Sequence, residues 1–521
     1  MKKITRRSAL LSIAALSQAW RLGSALPAFS AAPQSLLQHT AVDSNTVRKP
    51  LNQLQLAVVN LRFGMFICLS PTSYLDLPDQ LMPDHAPPRQ GKDGIYGTAD
   101  DLSPALMNPT KLDCGQWADV AKSAKMQFGV LVTKHHDGFC LWPSKRSTYT
   151  VAQGCKRDVV GEYASAFRSR GLKVALYYSI RDRTEGISAD AKSGGVSPAK
   201  IQLIKDQLTE LLTNYGEILY IVFDGWGNVW HESPTFSQIH YDDIYKHIKS
   251  IQPNCLVMNH SRIRYVSDMP HLELRAGMEL PTGGDWPAVG GNTVQEAWFW
   301  RTTYPTSPLR SVDWIVNKNL IPDNKRNLVF LLNCAPNRYG LMDDNVVARM
   351  AEVGKAWFPP EPLKVVPDSW KNWPVPDSVH LFSGKNIALG KPVRISPNQT
   401  AKSPGCLVDG NPDTFVDLSA TDTWIEIDLG KNYPLAGVHL WNRSPAHNVM
   451  LEQGFIFVSD TPFTSGDPAG IQKQLNVKSI AISEAPGYPT PYPISASGRH
   501  LGIVSTSGRE IGIGEVEVFA K

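Results

Sequence analysis

Between residues 60 and 360 the chain repeats one pattern, a short apolar run followed by a longer amphipathic segment, and few folds accommodate it. The runs are Arg62–Leu69, Gln127–His136, Lys173–Ile180, Leu219–Asp224, Leu256–Asn259, His271–Leu274, Ala297–Trp300 and Asn327–Asn333. Amphipathic stretches such as Gln116–Lys125, Val159–Arg170, Ser197–Tyr215 and Asp343–Trp357 lie between or after them. Nearly continuous apolar strands separated by helices read as a parallel sheet covered on its outer face. Eight of them in about 300 residues predict a closed (β/α)8-like barrel over residues 50–358.

The pattern then changes. Residues 359–384 are rich in proline and tryptophan and read as a linker. From 385 to 521 the chain carries short alternating strands, Trp424–Leu429, Gly437–Trp441, Gly454–Val458, Leu501–Ser505 and Glu515–Phe519, separated by turn-rich pieces. This predicts an all-β sandwich of jelly-roll type. The 521 residues suit one large and one smaller core.

Residues 1–32 read as an export signal. Arg6 and Arg7 precede the apolar run Ser8–Leu16, and small residues follow near Ala28–Ala32. The run is well short of the ~20 residues a membrane span needs, so no membrane insertion is expected. The paired arginines fit the twin-arginine route. An exported protein, periplasmic or extracellular, is the expectation.

The formal charge of +4 comes from that leader. Lys2, Lys3, Arg6, Arg7 and Arg21 contribute five positive charges and no acid offsets them, so 4 − 5 leaves −1 on the remainder. A near-neutral body without basic runs argues against a nucleic-acid partner. Seven cysteines form no CxxC pair and have no zinc-site spacing.

In a barrel of this kind, polar residues just past the carboxyl ends of the strands face the active-site mouth. The second run ends Thr133-Lys134-His135-His136-Asp137-Gly138, placing two imidazoles there as donors and acceptors for sugar hydroxyls. A metal pair is the alternative, weakened because adjacent residues on a strand point to opposite faces. The fourth run ends Val222-Phe223-Asp224-Gly225 and aims a carboxylate into the mouth, as a nucleophile requires. An aspartate there could equally cap the following helix. The sixth contributes Glu273, with Glu279 beyond it. Either could serve as a second carboxyl with a raised pKa, or pair with a cation at the surface.

Three strings resemble glycoside hydrolase family 29, a family mainly of retaining α-L-fucosidases on (β/α)8-like barrels. They are Phe63-Gly64-Met65-Phe66-Ile67, Lys134-His135-His136-Asp137-Gly138-Phe139-Cys140-Leu141-Trp142-Pro143-Ser144 and Ala175-Leu176-Tyr177-Tyr178-Ser179. Phe223-Asp224-Gly225 and Leu331-Leu332-Asn333-Cys334-Ala335-Pro336-Asn337 continue the likeness in order. The resemblance implies Asp224 as nucleophile and Glu273 as acid/base, with Glu279 the rival for the second role. It implies His135, His136, Tyr178 and Arg262 as sugar-binding residues, and Trp298 as an aromatic against the sugar's apolar side. It departs at Cys68, where the family commonly has a histidine on the first strand; a thiol is a weak hydrogen-bond partner.

The C-terminal strings Asn386-Ile387-Ala388-Leu389-Gly390-Lys391-Pro392-Val393, Leu407-Val408-Asp409-Gly410-Asn411-Pro412-Asp413-Thr414 and Trp424-Ile425-Glu426-Ile427-Asp428-Leu429-Gly430 resemble discoidin-type modules related to carbohydrate-binding family 32. That likeness implies a structural calcium near Asp409 and Asp413; a plain β-turn reads equally well there. No cofactor is needed for the chemistry. The resulting expectation is a retaining exo-α-L-fucosidase acting on a fucosylated oligosaccharide or glycoconjugate. The alternatives are a hydrolase of a related sugar such as α-L-galactose, and a glycan-binding protein with an inactive barrel.

Overall fold

The structure is a computed structural model of the whole chain. It describes residues 47–74 and 103–521, apart from 190–194, 228–232, 235, 237, 261–266, 279, 281–284, 371–381, 383–384, 397–402, 412–413, 419–422, 443–450, 452, 464–466, 475–476, 483–489 and 507–510. The expected leader, Arg262, Glu279 and Asp413 lie outside the described residues.

Eight parallel strands form one sheet: β1 Phe63–Ile67, β2 Phe128–Lys134, β3 Lys173–Ser179, β4 Tyr220–Asp224, β5 Leu256–Asn259, β6 His271–Glu273, β7 Ala288–Thr293 and β8 Leu328–Asn333. Their order is β5-β4-β3-β2-β1-β8-β7-β6, with β1 between β2 and β8. Just beyond β5, an isolated parallel bridge joins His260 to His271 of β6, bringing the two ends of the sheet together. Below it, the Asp268 backbone N–H donates to the Val257 carbonyl at 2.8 Å, and the Asp268 carboxylate accepts from the Val257 N–H at 2.9 Å. A side chain thus supplies an acceptor that a neighbouring strand would have offered.

Alternation along each strand makes two cores. Phe66, Cys68, Phe128, Val130, Val132, Ala175, Tyr177, Tyr220, Val222 and Met258 fill the barrel interior. Leu131, Leu176, Tyr178, Ile221, Phe223 and Val257 face outward and pack with the helical layer. That layer includes Cys114–Ser123, Val159–Ser169, Pro198–Asn214 and Tyr241–Ile251. Three of these helices start on a side-chain cap: Asp113 accepts from Gln116 N, Asp158 from Gly161 N and Ser197 from Lys200 N.

The seventh strand is Ala288–Thr293, not Ala297–Trp300, which forms bends in the loop beyond it. The sequence Ala-Val-Gly-Gly-Asn-Thr carries too little apolar bulk to stand out as a run. Its glycines have a use. A Cβ at Gly290 would meet Leu274 at 2.9 Å, and Gly291 lies against the rings of Trp298 and His271.

The C-terminal strands are antiparallel: β9 Val393–Ile395, β10 Val416–Leu418, β11 Trp424–Asn442, β12 Gly454–Ser459, β13 Lys478–Ile482, β14 Thr490–Ser505 and β15 Ile511–Ala520. They form a seven-stranded sheet ordered β10-β15-β11-β14-β12-β13, with β9 also on β11. Trp424–Leu429 and Gly437–Trp441, expected as separate strands, belong to the single long β11, whose register shifts between Asp428 and Tyr433. Among the described residues no helix is long and apolar enough to cross a membrane.

Candidate active site

A pocket of about 380 Å³ opens at the carboxyl ends of the barrel strands, lined by residues including Asp224, Glu273, His135, Tyr177, His260, His271 and Trp298. Asp224 closes β4 with its side chain turned inward, in register with Ser179 of β3. Tyr177 donates its hydroxyl hydrogen to Asp224 Oδ2 at 2.7 Å, and the Gly225 N–H donates to Oδ1 at 2.6 Å. Gly225 has φ +59°, and a Cβ there would sit 2.8 Å from Arg181 Cβ and 2.9 Å from Ser179 Oγ, so the turn after the aspartate requires glycine. His136 Nε2 lies 3.8 Å from Asp224 Oδ2. Burial works to raise the Asp224 pKa. His260, His136 and the Tyr177 hydrogen bond outweigh it and hold the carboxyl well below the usual range.

Glu273 ends the three-residue β6. Its Oε1 accepts the indole N–H of Trp298 at 3.0 Å, and Asn333, closing β8, fixes the Trp298 carbonyl at 2.7 Å. Burial, aided by the negative charge of Asp224, raises the Glu273 pKa against the smaller opposing effects of His260 and Trp298. Two carboxyls on one pocket are therefore pushed in opposite directions, one towards ionisation and one towards keeping its proton.

The paired histidines follow a register shift in β2, between Val132, opposite Tyr177, and Lys134, opposite Tyr178. Simple alternation from Val132 would turn Lys134 inward and His135 outward. The irregularity reverses both. His135 stacks on Tyr177, centroids 5.6 Å apart and planes 8° from parallel. The His136 ring lies 4.2 Å from it, with Nδ1 2.7 Å from Ser179 Oγ. Both imidazoles reach the site because β2 ends at Lys134 and they lie beyond it, so the divergence of neighbours expected along a strand does not hold. His135, His136 and Asp224 bring ligand-type atoms within 4.8 Å of one another. The same groups suit sugar hydroxyls, and Asp224 Oδ2 already accepts from Tyr177.

Lys134 takes the opposite, outer face. Its ammonium donates to Tyr178 OH at 3.0 Å, Asp182 Oδ2 at 2.8 Å and Gln207 Oε1 at 3.2 Å, so its three protons are matched by three acceptors. Burial disfavours that charge, but Asp182 and Tyr178 outweigh burial and keep it. The cluster ties the loop after β2 to the loop after β3 behind the histidines.

Tyr178 is in that cluster and not in the pocket; its hydroxyl also donates to Gln207 at 2.6 Å. The expected sugar-binding role is corrected here, for a reason of parity. Tyr178 pairs with Phe223 on the outer face, while Tyr177 pairs with Val222 on the inner. With Asp224 facing inward, counting in twos already pointed to Tyr177. His260 and His271 also line the pocket without having been singled out. His260 lies past the end of an apolar run and His271 opens another, and neither place marks a function.

In the C-terminal sheet, Asp409 Oδ1 accepts from Asn411 N at 2.8 Å and from Thr414 Oγ1 at 3.1 Å. Glu515 of β15 faces this turn. Its Oε1 accepts from Gly410 N at 3.2 Å, while Oε2 is buried without a hydrogen-bond partner among the described residues. Burial foremost, with the Asp409 and Glu517 charges, pushes the Glu515 pKa up to about 8. An orphaned carboxylate oxygen beside an oxygen-lined turn is a donor set that suits calcium.

A parallel barrel with one carboxyl held below the ordinary range and a second raised above it on one pocket has the construction of a glycoside hydrolase. Residues 60–359, more than half of the chain, match the family described as Alpha-L-fucosidase, and the chain belongs to that family. It is 29% identical over 295 residues to Alpha-L-fucosidase 1 of Arabidopsis thaliana, covering 51% of this chain and 56% of that one. Plasma alpha-L-fucosidase of Homo sapiens is 33% identical over 132 residues, covering 24% and 28%. The chain spans about half the length of the Arabidopsis relative. Among solved structures, alpha-L-fucosidase isoenzyme 1 from Paenibacillus thiaminolyticus aligns with a TM-score of 0.50 at 21% identity, covering 91% of this chain and 100% of that one, a likeness of fold.

Proposed function

We propose that the chain is a retaining exo-α-L-fucosidase that releases L-fucose from fucosylated glycans by two displacements. What supports this reading is one pocket holding two carboxyls of opposed bias, as an acid and its ionised partner require; retention is inferred from the resemblance of Asp224 to the family's nucleophile. Asp224, ionised and oriented by Tyr177, attacks the anomeric carbon. Glu273 gives its proton to the departing glycosidic oxygen. Water then cleaves the fucosyl–Asp224 ester after Glu273 takes one of its protons, which restores both groups. His135, His136 and Trp298 would hold the sugar, and Arg262 is proposed to join them on the strength of its sequence position. The polar work belongs to the chain's own side chains.

We also propose that residues 1–32 direct export and that residues 385–521 are a discoidin-type module, with Asp409, Asp413 and Glu515 as candidate calcium ligands. The test of the main reading is hydrolysis of aryl α-L-fucosides by the purified protein, with the anomer of the first-formed sugar followed by NMR. α-L-Fucose as the first product is expected. β-L-Fucose would refute retention, and no turnover would refute the fucosidase reading. An aryl α-L-galactoside belongs in the same assay, because Cys68 offers only weak hydrogen bonding on the pocket wall.

A further inference from the structure

The bridge that joins the ends of the barrel sheet places two imidazoles side by side on the pocket wall. The His260 and His271 ring centroids are 4.7 Å apart, with planes tilted by 46°. Both side chains are buried, His271 at 1% exposure and His260 at 8%, and both line the pocket. None of their four ring nitrogens has a hydrogen-bond partner among the described residues. A buried polar atom left unmatched loses its hydration with nothing in return. Four on one wall are hard to reconcile with a purely structural role, since phenylalanine would fill the same space without the cost.

We infer that His271, with His260 beside it, is a specificity-determining residue that receives a hydroxyl of the bound sugar on the β6 side of the pocket. The inference rests on the fucosidase reading and extends it to residues outside that assignment. A pyranose hydroxyl both donates and accepts. A neutral imidazole offers one N–H and one lone pair, so the two match in either direction. Burial first, and the neighbouring His260 second, push the His271 pKa well below its ordinary value and keep that imidazole neutral. Its place agrees with the need. Cys68, on the same pocket, has a thiol that binds a hydroxyl weakly, whereas His271 is two residues along β6 from Glu273, on the same inward face. The Phe66 ring lies 6.4 Å from His271 and 5.6 Å from Trp298, so an apolar wall adjoins the imidazole. A sugar with one apolar corner and a ring of hydroxyls has the complementary surface.

The test compares His271→Phe and His271→Gln with wild type in the full chain, using an aryl α-L-fucoside and its monodeoxy analogues, with thermal melting in parallel. His271→Phe is expected to lower kcat/KM about 10- to 100-fold, mainly through KM, with an unchanged or higher melting temperature. His271→Gln should recover part of the loss. One monodeoxy substrate should be equally poor for wild type and His271→Phe, which identifies the hydroxyl held. Unchanged kcat/KM in His271→Phe, or a fall matched by all analogues alike, overturns the inference while the fucosidase reading stands. If His271→Phe does not fold, the decision passes to His271→Gln with the same analogues. If wild type turns over no fucoside, that reading fails, and calorimetric titration with L-fucose decides this one: binding lost in His271→Phe supports it, and binding equal to wild type overturns it.

Discussion

Tyr177 and Asp224, on adjacent strands, are joined by a 2.7 Å hydrogen bond from the phenol to the carboxylate, while Tyr178, the next residue, points to the far side of the sheet. A hydrogen bond to a charged group contributes roughly 1.5–3 kcal/mol. Tyr177→Phe should therefore lower kcat about 10- to 100-fold without unfolding the protein. Tyr178→Phe should lower the melting temperature and leave kcat within about twofold. Steady-state kinetics and calorimetry on the two variants check both halves, and the reverse result would move the sugar pocket to the wrong face of β3.

The division of labour between the carboxyls has a chemical signature. Asp224→Ala should lose turnover of every fucoside, and azide should return some activity with inversion to the β-azide. Glu273→Ala should slow substrates with poor leaving groups by about 10²–10⁴-fold and activated aryl groups far less. Azide should then yield the α-azide, because it intercepts the glycosyl-enzyme without base assistance. NMR of the azide products reads the outcome. Full activity of Glu273→Ala on poor leaving groups would transfer the role to Glu279.

Activity requires Asp224 ionised and Glu273 protonated. Asp224 is biased below the usual carboxylate range and Glu273 above it. The kcat/KM profile should thus stay level on the acid side and fall as pH rises through the raised Glu273 value. Glu273→Gln should abolish that alkaline limb. For stability the sign is the same: a raised folded-state pKa gives stabilisation that is complete at low pH and is lost as pH climbs through the raised value.

Lys134 and Asp182 form a fully buried ion pair. Removing one partner from such a pair costs about 3–5 kcal/mol. Lys134→Met should lower stability in denaturant titration by that order, and kcat should fall as well, because the loop carrying His135 and His136 loses its tether. An unchanged unfolding midpoint would show that the pair contributes nothing net.

At the Asp409 turn, the Glu515 pKa of about 8 means that stability is lost as pH rises from the ordinary glutamate range through 8, unless a cation offsets the charge. Calcium at pH 8 should raise the melting temperature, chelator should reverse it, and Glu515→Gln should remove both the pH slope and the calcium effect. A calcium response intact in Glu515→Gln would exclude this carboxylate as a ligand.

Much of the barrel was legible because apolar runs such as Lys173–Ile180 and Asn327–Asn333 are long and lack strand breakers. β7 was not, because Gly290 and Gly291 sit at its centre, the first held small by Leu274, and glycine erases the apolar signal. The carboxylates were legible from their place at strand ends. The two histidines were expected at the site, but their joint orientation depends on a register shift and on β2 ending at Lys134, neither of which leaves a mark in composition. Tyr177 was within reach of a parity count from Asp224. His260 and His271 were not, since only the meeting of β5 and β6 brings residues eleven positions apart in the chain into contact.

That meeting point also bears on how the protein responds to heat. Asp224 belongs to β4 on one side of it and Glu273 to β6 on the other, and β6 has only three residues. Where few backbone bonds hold, amide protons exchange with solvent first. Loosening there would part the nucleophile's wall from the acid's wall while the remaining strand pairs and the helical layer kept their ellipticity. Activity is then expected to be lost below the far-UV melting temperature, a gap that activity and ellipticity followed through one heating ramp would read out.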